Sequence, residues 1–465
     1  MPAGGSCVEV RMTSFPSGPV LPRLLLAALL LLRVGAARAG GVELSIEGEW
    51  GLRVSIPAGA TGPGSPARSG SVTVPPPEAI VVLGERHDSL PRFNPGAGGW
   101  VKGAQLKGVR AQETTTPFLL DRASLVVRSG ADAASEAYRP GEDYEADLAW
   151  GTFGRAAAGR IAEGTPVYAS YRYFPLRLDA LVLTPAGGLE LRRGEPRSAA
   201  PKAPAPADGE RVLAHVWIPG AIPRLAPAHL FPILEDRYPE PPKAHPSVAE
   251  QRIPNTFRKL ASGSPVRVLA WGDSVTDGGY VPDPSRNRWQ EQFVRRLRER
   301  FPGSRIELVT EAWGGRNTSS YLGEPPGSPH NYREKVLAAK PDLIVSEFVN
   351  DAGFNPDQVE ERYSKLLGDF QGIGAEWIIL TPHYVRPDWM GLDRERDIDN
   401  DPRPYVAGLR AFSLKHGIAL AEGSKRYGRL WRQGIPYTTV MLNSINHPDP
   451  FGMSLFADAL MELFP

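Results

Sequence analysis

Cysteine is all but missing: Cys7 is the single thiol in 465 residues, and it precedes every segment with a folding pattern. That excludes a disulfide framework, Cys-ligated zinc and thiol catalysis for the body of the chain. No His-x-x-x-His or Cys-x-x-Cys pair and no glycine-rich phosphate loop occurs, so neither metal nor cofactor is expected. Charge of one sign is lacking too. With 53 Lys and Arg against 52 Asp and Glu the net is +1, which offers no field for nucleic acid or an anionic membrane. Long hydrophobic runs are absent: the Leu/Ala stretch Leu24 to Leu32 is far shorter than the ~20 residues a spanning helix needs, so no stable membrane anchor is expected.

What is abundant is glycine and proline, 49 and 47 residues. Hydrophobic residues at 42% and charged residues at 23% are nevertheless ordinary for a globular protein, and no three-residue glycine period runs through the chain. Loops and turns around real cores follow, in two or three domains for this length. Arg23, the short apolar stretch and Ala37-Arg38-Ala39 together read as a secretory signal peptide, residues 1–39, cleaved after Ala39. The expectation is a secreted or periplasmic protein.

From residue 40 to 193 the apolar residues come in short runs broken by Gly, Pro, Asp and Asn, such as Val42–Ile46, Leu52–Ile56 and Val167–Tyr173. Such runs with little 3.6-residue period predict an all-β, sandwich-like domain. Residues 194–210 are Pro/Ala-rich with nothing to bury, and 194–254 as a whole reads as a Pro-rich linker with one surface strand at Arg211–Ile218. From 255 to 465 the texture alternates. Strand patterns at Val266–Trp271, Ile306–Thr310, Leu343–Phe348, Trp377–Thr381 and Gly417–Ala421 are separated by helical ones, among them the face Trp289, Phe293, Leu297 and Phe301. This is an α/β pattern of βαβ units: a parallel sheet covered on both faces, with its site at the carboxyl ends of the strands.

Chemistry gathers at those ends. Ser274 sits in Gly272-Asp273-Ser274, just past a buried strand, and a serine hydroxyl needs a base; His447 lies in a loop before the last helix. Two further loops supply donors for an oxyanion: Gly314-Gly315 after the second strand offers a backbone N–H, and Asn350 after the third a side-chain amide. His383, at the end of the fourth strand, reads as structural or as a substrate-side contact. Tyr168, Tyr171, Tyr173 and Phe174 form either a sugar-stacking platform or, by default, core packing.

In these four blocks the last ~200 residues resemble the SGNH/GDSL hydrolase family. The resemblance implies a three-layer, flavodoxin-like parallel-sheet domain and a serine nucleophile, Ser274, whose own N–H joins Gly315 (or Gly314) and Asn350 in the oxyanion hole, with His447 as base. Two positions depart from the family pattern. Phe348 stands where a glycine usually precedes Asn350, and Ser444 stands three residues before His447, where the family has its triad aspartate. Asp449 folding back, Asn443 or a main-chain carbonyl, and a Ser–His dyad without a carboxylate are the alternatives for orienting the imidazole. The second block, Gly315-Arg316 followed by Ser320-Tyr321, is similar to that of carbohydrate acetylesterases of pectin side chains. An acylated polysaccharide or a small ester is therefore the expected substrate, with a lipase-type acyl hydrolase or a decayed glycan-binding protein as alternatives.

Overall fold

Two textures of sequence become two kinds of sheet in the computed structural model, which describes residues 37–39 and 41–465. The Leu/Ala stretch and Cys7 lie outside the described residues. Strands β1 (Pro265–Gly272), β2 (Arg305–Ala312), β3 (Leu343–Glu347), β4 (Glu376–Leu380) and β5 (Ala419–Ala421) form one parallel sheet in the order β2-β1-β3-β4-β5. Successive residues of β1 point to opposite faces. Val266, Val268 and Ala270 enter a core with Phe293, Phe456 and Leu460, whereas Leu269 and Trp271 enter one with Phe370, Val406 and Phe412. Both faces are covered by helices, including Trp289–Arg300 and Pro450–Glu462 on the first and Pro356–Gly372 and Pro404–His416 on the second. That explains why these strands read as apolar runs rather than as alternation. The chain moves to β2 on one side of β1 and to β3 on the other, so the loops after β1, β2 and β3 open into one crevice.

The preceding half is antiparallel and sandwich-like. Its long central strands Leu176–Leu183 and Arg211–Pro219 pair along their length. Leu181 and Val216 face a core with Leu44, Leu52 and Val54, while Leu178 and Trp217 face another with Phe153 and Tyr171. Trp431, from the parallel-sheet half, completes the second core, which fastens the halves to each other. Residues 194–210, expected to have nothing to bury, form no helix or strand but are tied down. The Gly194 N–H donates to Asp179 Oδ1 at 2.8 Å, the Ser198 hydroxyl to Gly108 O at 2.5 Å, and Lys202 pairs with Asp449. Arg211–Pro219 is likewise an inner strand of its sheet, paired on both sides, and not a surface one. Single polar contacts and main-chain bonds, invisible to a composition count, do this work.

Candidate active site

The turn out of β1 is sterically forced. A Cβ on Gly272 would stand 2.3 Å from Glu347 O and 2.1 Å from Thr276 Oγ1, so only glycine lets β1 run this close to β3. Asp273 follows, fully buried, and accepts the N–H of Val275 at 3.1 Å and of Asn350 at 3.0 Å. It therefore clamps the β1 and β3 loops together and does not face substrate. Burial pushes its carboxyl up to about 7. Ser274 opens the short helix Ser274–Asp277, half-buried, with its Oγ 3.2 Å from His447 Nε2.

His447 is held from three directions. The loop that carries it is pinned by Asn443, whose Oδ1 accepts the N–H groups of Ile445, Asn446 and His447 at 3.0, 2.8 and 2.9 Å. Tyr280 stacks flat on the imidazole, with centroids 4.0 Å apart and planes 3° from parallel. On the far side, Nδ1 meets Gln112 Oε1 at 3.2 Å, its hydrogen-bond partner by geometry, and Glu113 Oε1 at 3.1 Å. Both neighbours of Nδ1 are acceptors, so the proton of the neutral ring belongs on Nδ1 and Nε2 is free to accept the Ser274 O–H.

The oxyanion candidates converge beside the serine. The Trp313 N–H donates to Gly272 O at 3.1 Å, which brings the β2 loop against β1. A Cβ on Gly314 would lie 3.7 Å from Ser274 Cβ; Gly315, one step further, has φ +71° and faces open space. Asn350 donates one amide hydrogen to Arg316 O at 3.2 Å and keeps the second free. Beneath it Asp351 accepts both N–H and O–H of Thr318, at 3.2 and 3.0 Å, and the Tyr363 hydroxyl at 3.2 Å; burial raises its carboxyl to about 6. Phe348, in place of the family's glycine, sits in extended backbone at φ −135° and packs edge-on against Trp271 at 4.8 Å. No glycine is required there.

Asp449 corrects the expectation placed on it. Its Oδ1 accepts the Gly452 N–H at 2.8 Å as N-cap of the helix Pro450–Glu462, and its Oδ2 takes the Lys202 ammonium. The carboxylate beside the imidazole is instead Glu113, which with Gln112 was missed from sequence; the one available signal was Ser444, whose presence leaves the imidazole's partner to be supplied from elsewhere. His383 is fully buried against Tyr427 and Phe456, which pushes its imidazole well below the ordinary value. Tyr171 is buried as well, donating to Glu85 Oε2 at 2.6 Å and accepting the Gly108 N–H at 2.7 Å, which makes it part of the core. Among the described residues no group of three or more His, Cys, Asp or Glu could hold a metal ion, and no helix is long and apolar enough to cross a membrane.

No curated protein sequence matches the chain significantly. Among solved structures, a two-domain esterase (CEX) active on acetylated mannans shares 14% identity at TM-score 0.36, covering 46% of this chain and 52% of its own. The chain thus spans about half the length of that relative. A variant of Axe2, an acetyl xylan esterase from Geobacillus stearothermophilus, shares 18% at TM-score 0.33, covering 43% and 94%. A GDSL-like lipase from Parabacteroides merdae shares 14% at TM-score 0.32, covering 43% and 94%. These likenesses are too distant to carry an argument by themselves. Residues 270–455, which contain Ser274, Gly314, Gly315, Asn350 and His447, match the GDSL-like Lipase/Acylhydrolase family.

Proposed function

We propose that the protein is a secreted serine esterase that removes acetyl groups from a polysaccharide through an acyl-enzyme. The observation that carries the reading is the 3.2 Å approach of Ser274 Oγ to an imidazole whose other nitrogen faces acceptors. Ser274 Oγ attacks the ester carbonyl as its proton passes to His447 Nε2. The alcohol oxygen leaves with that proton, and acetyl-Ser274 remains. Water then attacks the acyl carbon, His447 takes the water proton and returns one to Ser274, and acetate departs. The tetrahedral oxyanion at each stage is stabilised by the N–H of Ser274, a glycine N–H of the Gly314-Gly315 pair and the free amide hydrogen of Asn350.

Two observations favour a small acyl group on a bulky alcohol. Gly314, Gly315 and Arg316 are exposed beside the serine, so a large alcohol can lie across the loop. The Gly315-Arg316 to Ser320-Tyr321 block also has the pattern seen in acetylesterases of pectin side chains, and an exported protein would meet such glycans. The test is acetate release from acetylated xylan, mannan and pectin by the purified protein and by Ser274→Ala. Release lost in the variant supports the reading; turnover confined to long-chain acyl esters would replace it with lipolysis, and no ester turnover at all would leave a glycan-binding protein.

A further inference from the structure

We infer that Glu113, carried by the antiparallel half, is the positioning carboxylate of His447, so that the active site is completed by a residue outside the hydrolase domain. This rests on the Ser274–His447 reading above. Arg110–Ala111 pairs with Thr114–Thr115 in the register Arg110 to Thr115 and Ala111 to Thr114, which leaves Gln112 and Glu113 as a two-residue hairpin turn. Gln112 has φ +53°, a conformation that such turns normally reserve for Gly or Asn. A glutamine held there is strained, and strain of this kind is retained where the surroundings fix it. Its result is that both turn side chains meet one nitrogen, His447 Nδ1.

The hairpin is bolted to the histidine loop. Thr114 Oγ1 donates to Asn443 O at 2.6 Å, Thr116 Oγ1 to Ser444 Oγ at 2.7 Å, and Asn443 Nδ2 to Glu113 Oε1 at 2.9 Å. Ser444, at the position of the family's aspartate, has φ +56° and spends its hydroxyl on this docking. The position that lost the acid is thus one of those that bring in its replacement. Just before the hairpin, Glu85 accepts the Lys107 N–H, and at the turn itself the Gln105 amide donates to Glu113 O at 2.9 Å. Burial pushes the Glu113 carboxyl up, but the contacts with His447 and the Asn443 amide outweigh it and hold the group below the usual glutamate range. Gln112 can fix the tautomer, but only Glu113 brings a negative charge to the imidazolium that forms when Ser274 gives up its proton.

The test compares the full-length protein with Glu113→Gln, Glu113→Asp, Gln112→Ala and Ser274→Ala. Readouts are hydrolysis of 4-nitrophenyl acetate, the rate at which a fluorophosphonate labels Ser274, and thermal melting. The expected result for Glu113→Gln is a kcat fall of roughly 10²–10⁴ with KM little changed, a parallel fall in labelling rate, and partial recovery in Glu113→Asp; Gln112→Ala should lose less. The His447 Nδ1–H, which faces both Gln112 and Glu113, should give a far-downfield proton resonance in the wild-type protein that survives Gln112→Ala and moves upfield in Glu113→Gln, compared between variants that melt as the wild type does. Glu113→Gln within about threefold of wild type, alongside an inactive Ser274→Ala, overturns the inference and leaves the serine reading intact. Full activity in Ser274→Ala overturns both.

Discussion

The two halves of the molecule deliver their reacting groups by different means. In the parallel-sheet half, topology does it: loops that leave the carboxyl ends of β1, β2 and β3 must meet in one crevice, and Gly272 and Asp273 lock the first against the third. In the antiparallel half a two-residue turn reaches out of its own sheet and is held by hydroxyls against a loop it shares no strand with. The first arrangement is enforced by the whole core; the second depends on a handful of polar contacts. Reactive groups placed by a core tolerate little change in chemistry and much in surroundings, and for a docked turn the reverse holds.

The comparison is broken most directly at the serine. Ser274→Ala should lower kcat on an activated ester by at least about 10⁴, with melting temperature nearly unchanged, because the side chain is half-buried and its hydroxyl bonds only to His447. The Glu113→Gln loss should come next. Asn350→Ala should cost roughly 10²–10³ in kcat and little in KM if its free amide hydrogen meets the oxyanion, measured with the same ester. A rise in KM alone would place Asn350 on the substrate's ground state instead.

Legibility in the sequence follows the same division. The five parallel strands stand close to where their apolar runs put them, most plainly β1, β3 and β4, since a strand buried on both faces has no other composition to adopt. Ser274, Asn350 and His447 were readable for the same reason: each follows a strand or precedes a helix at a fixed edge. Glu113 was not readable, because its partner Asn443 is 330 residues away and the contact exists only once two halves have folded against each other. Asp449 was readable in a different sense. An aspartate directly before Pro450, at the head of an apolar helix, is a helix-start pattern, and capping claimed its carboxylate before catalysis could.

Acid should separate the halves in opposite senses. Asp351 holds its proton up to about 6 in the folded protein and to about 3.8 once unfolded, so between these values the folded state carries the extra proton. Its contribution therefore grows as pH falls from 6 towards 4, by an amount on the order of 1–3 kcal/mol. Glu85 behaves the other way: burial raises its carboxyl, but His87, Tyr171 and the Lys107 N–H outweigh burial and hold it below 4.5. Below that value the unfolded state binds the extra proton, and the support Glu85 gives the chain just before the hairpin is lost as pH falls through its folded value. Calorimetric melting from pH 7 to 3 should show Asp351→Asn flattening the segment between 6 and 4, and Glu85→Gln flattening the acid fall beyond it. Identical profiles for both variants and wild type would remove the asymmetry.

The smallest effect belongs to Asp449, and it sharpens the comparison because it separates an acid near the histidine in sequence from one near it in space. Asp449→Ala removes the N-cap of Pro450–Glu462 and should cost about 0.5–2 kcal/mol of stability. Asp449→Asn keeps an oxygen for the Gly452 N–H and loses only the pair with Lys202, a side chain 54% exposed, so it should cost less than about 1 kcal/mol. Neither should change kcat on a small ester, since the carboxylate at Nδ1 is that of Glu113. A kcat loss in Asp449→Asn comparable to that of Glu113→Gln, with melting preserved, would move the orienting charge back into the histidine loop and make the hairpin a purely structural dock.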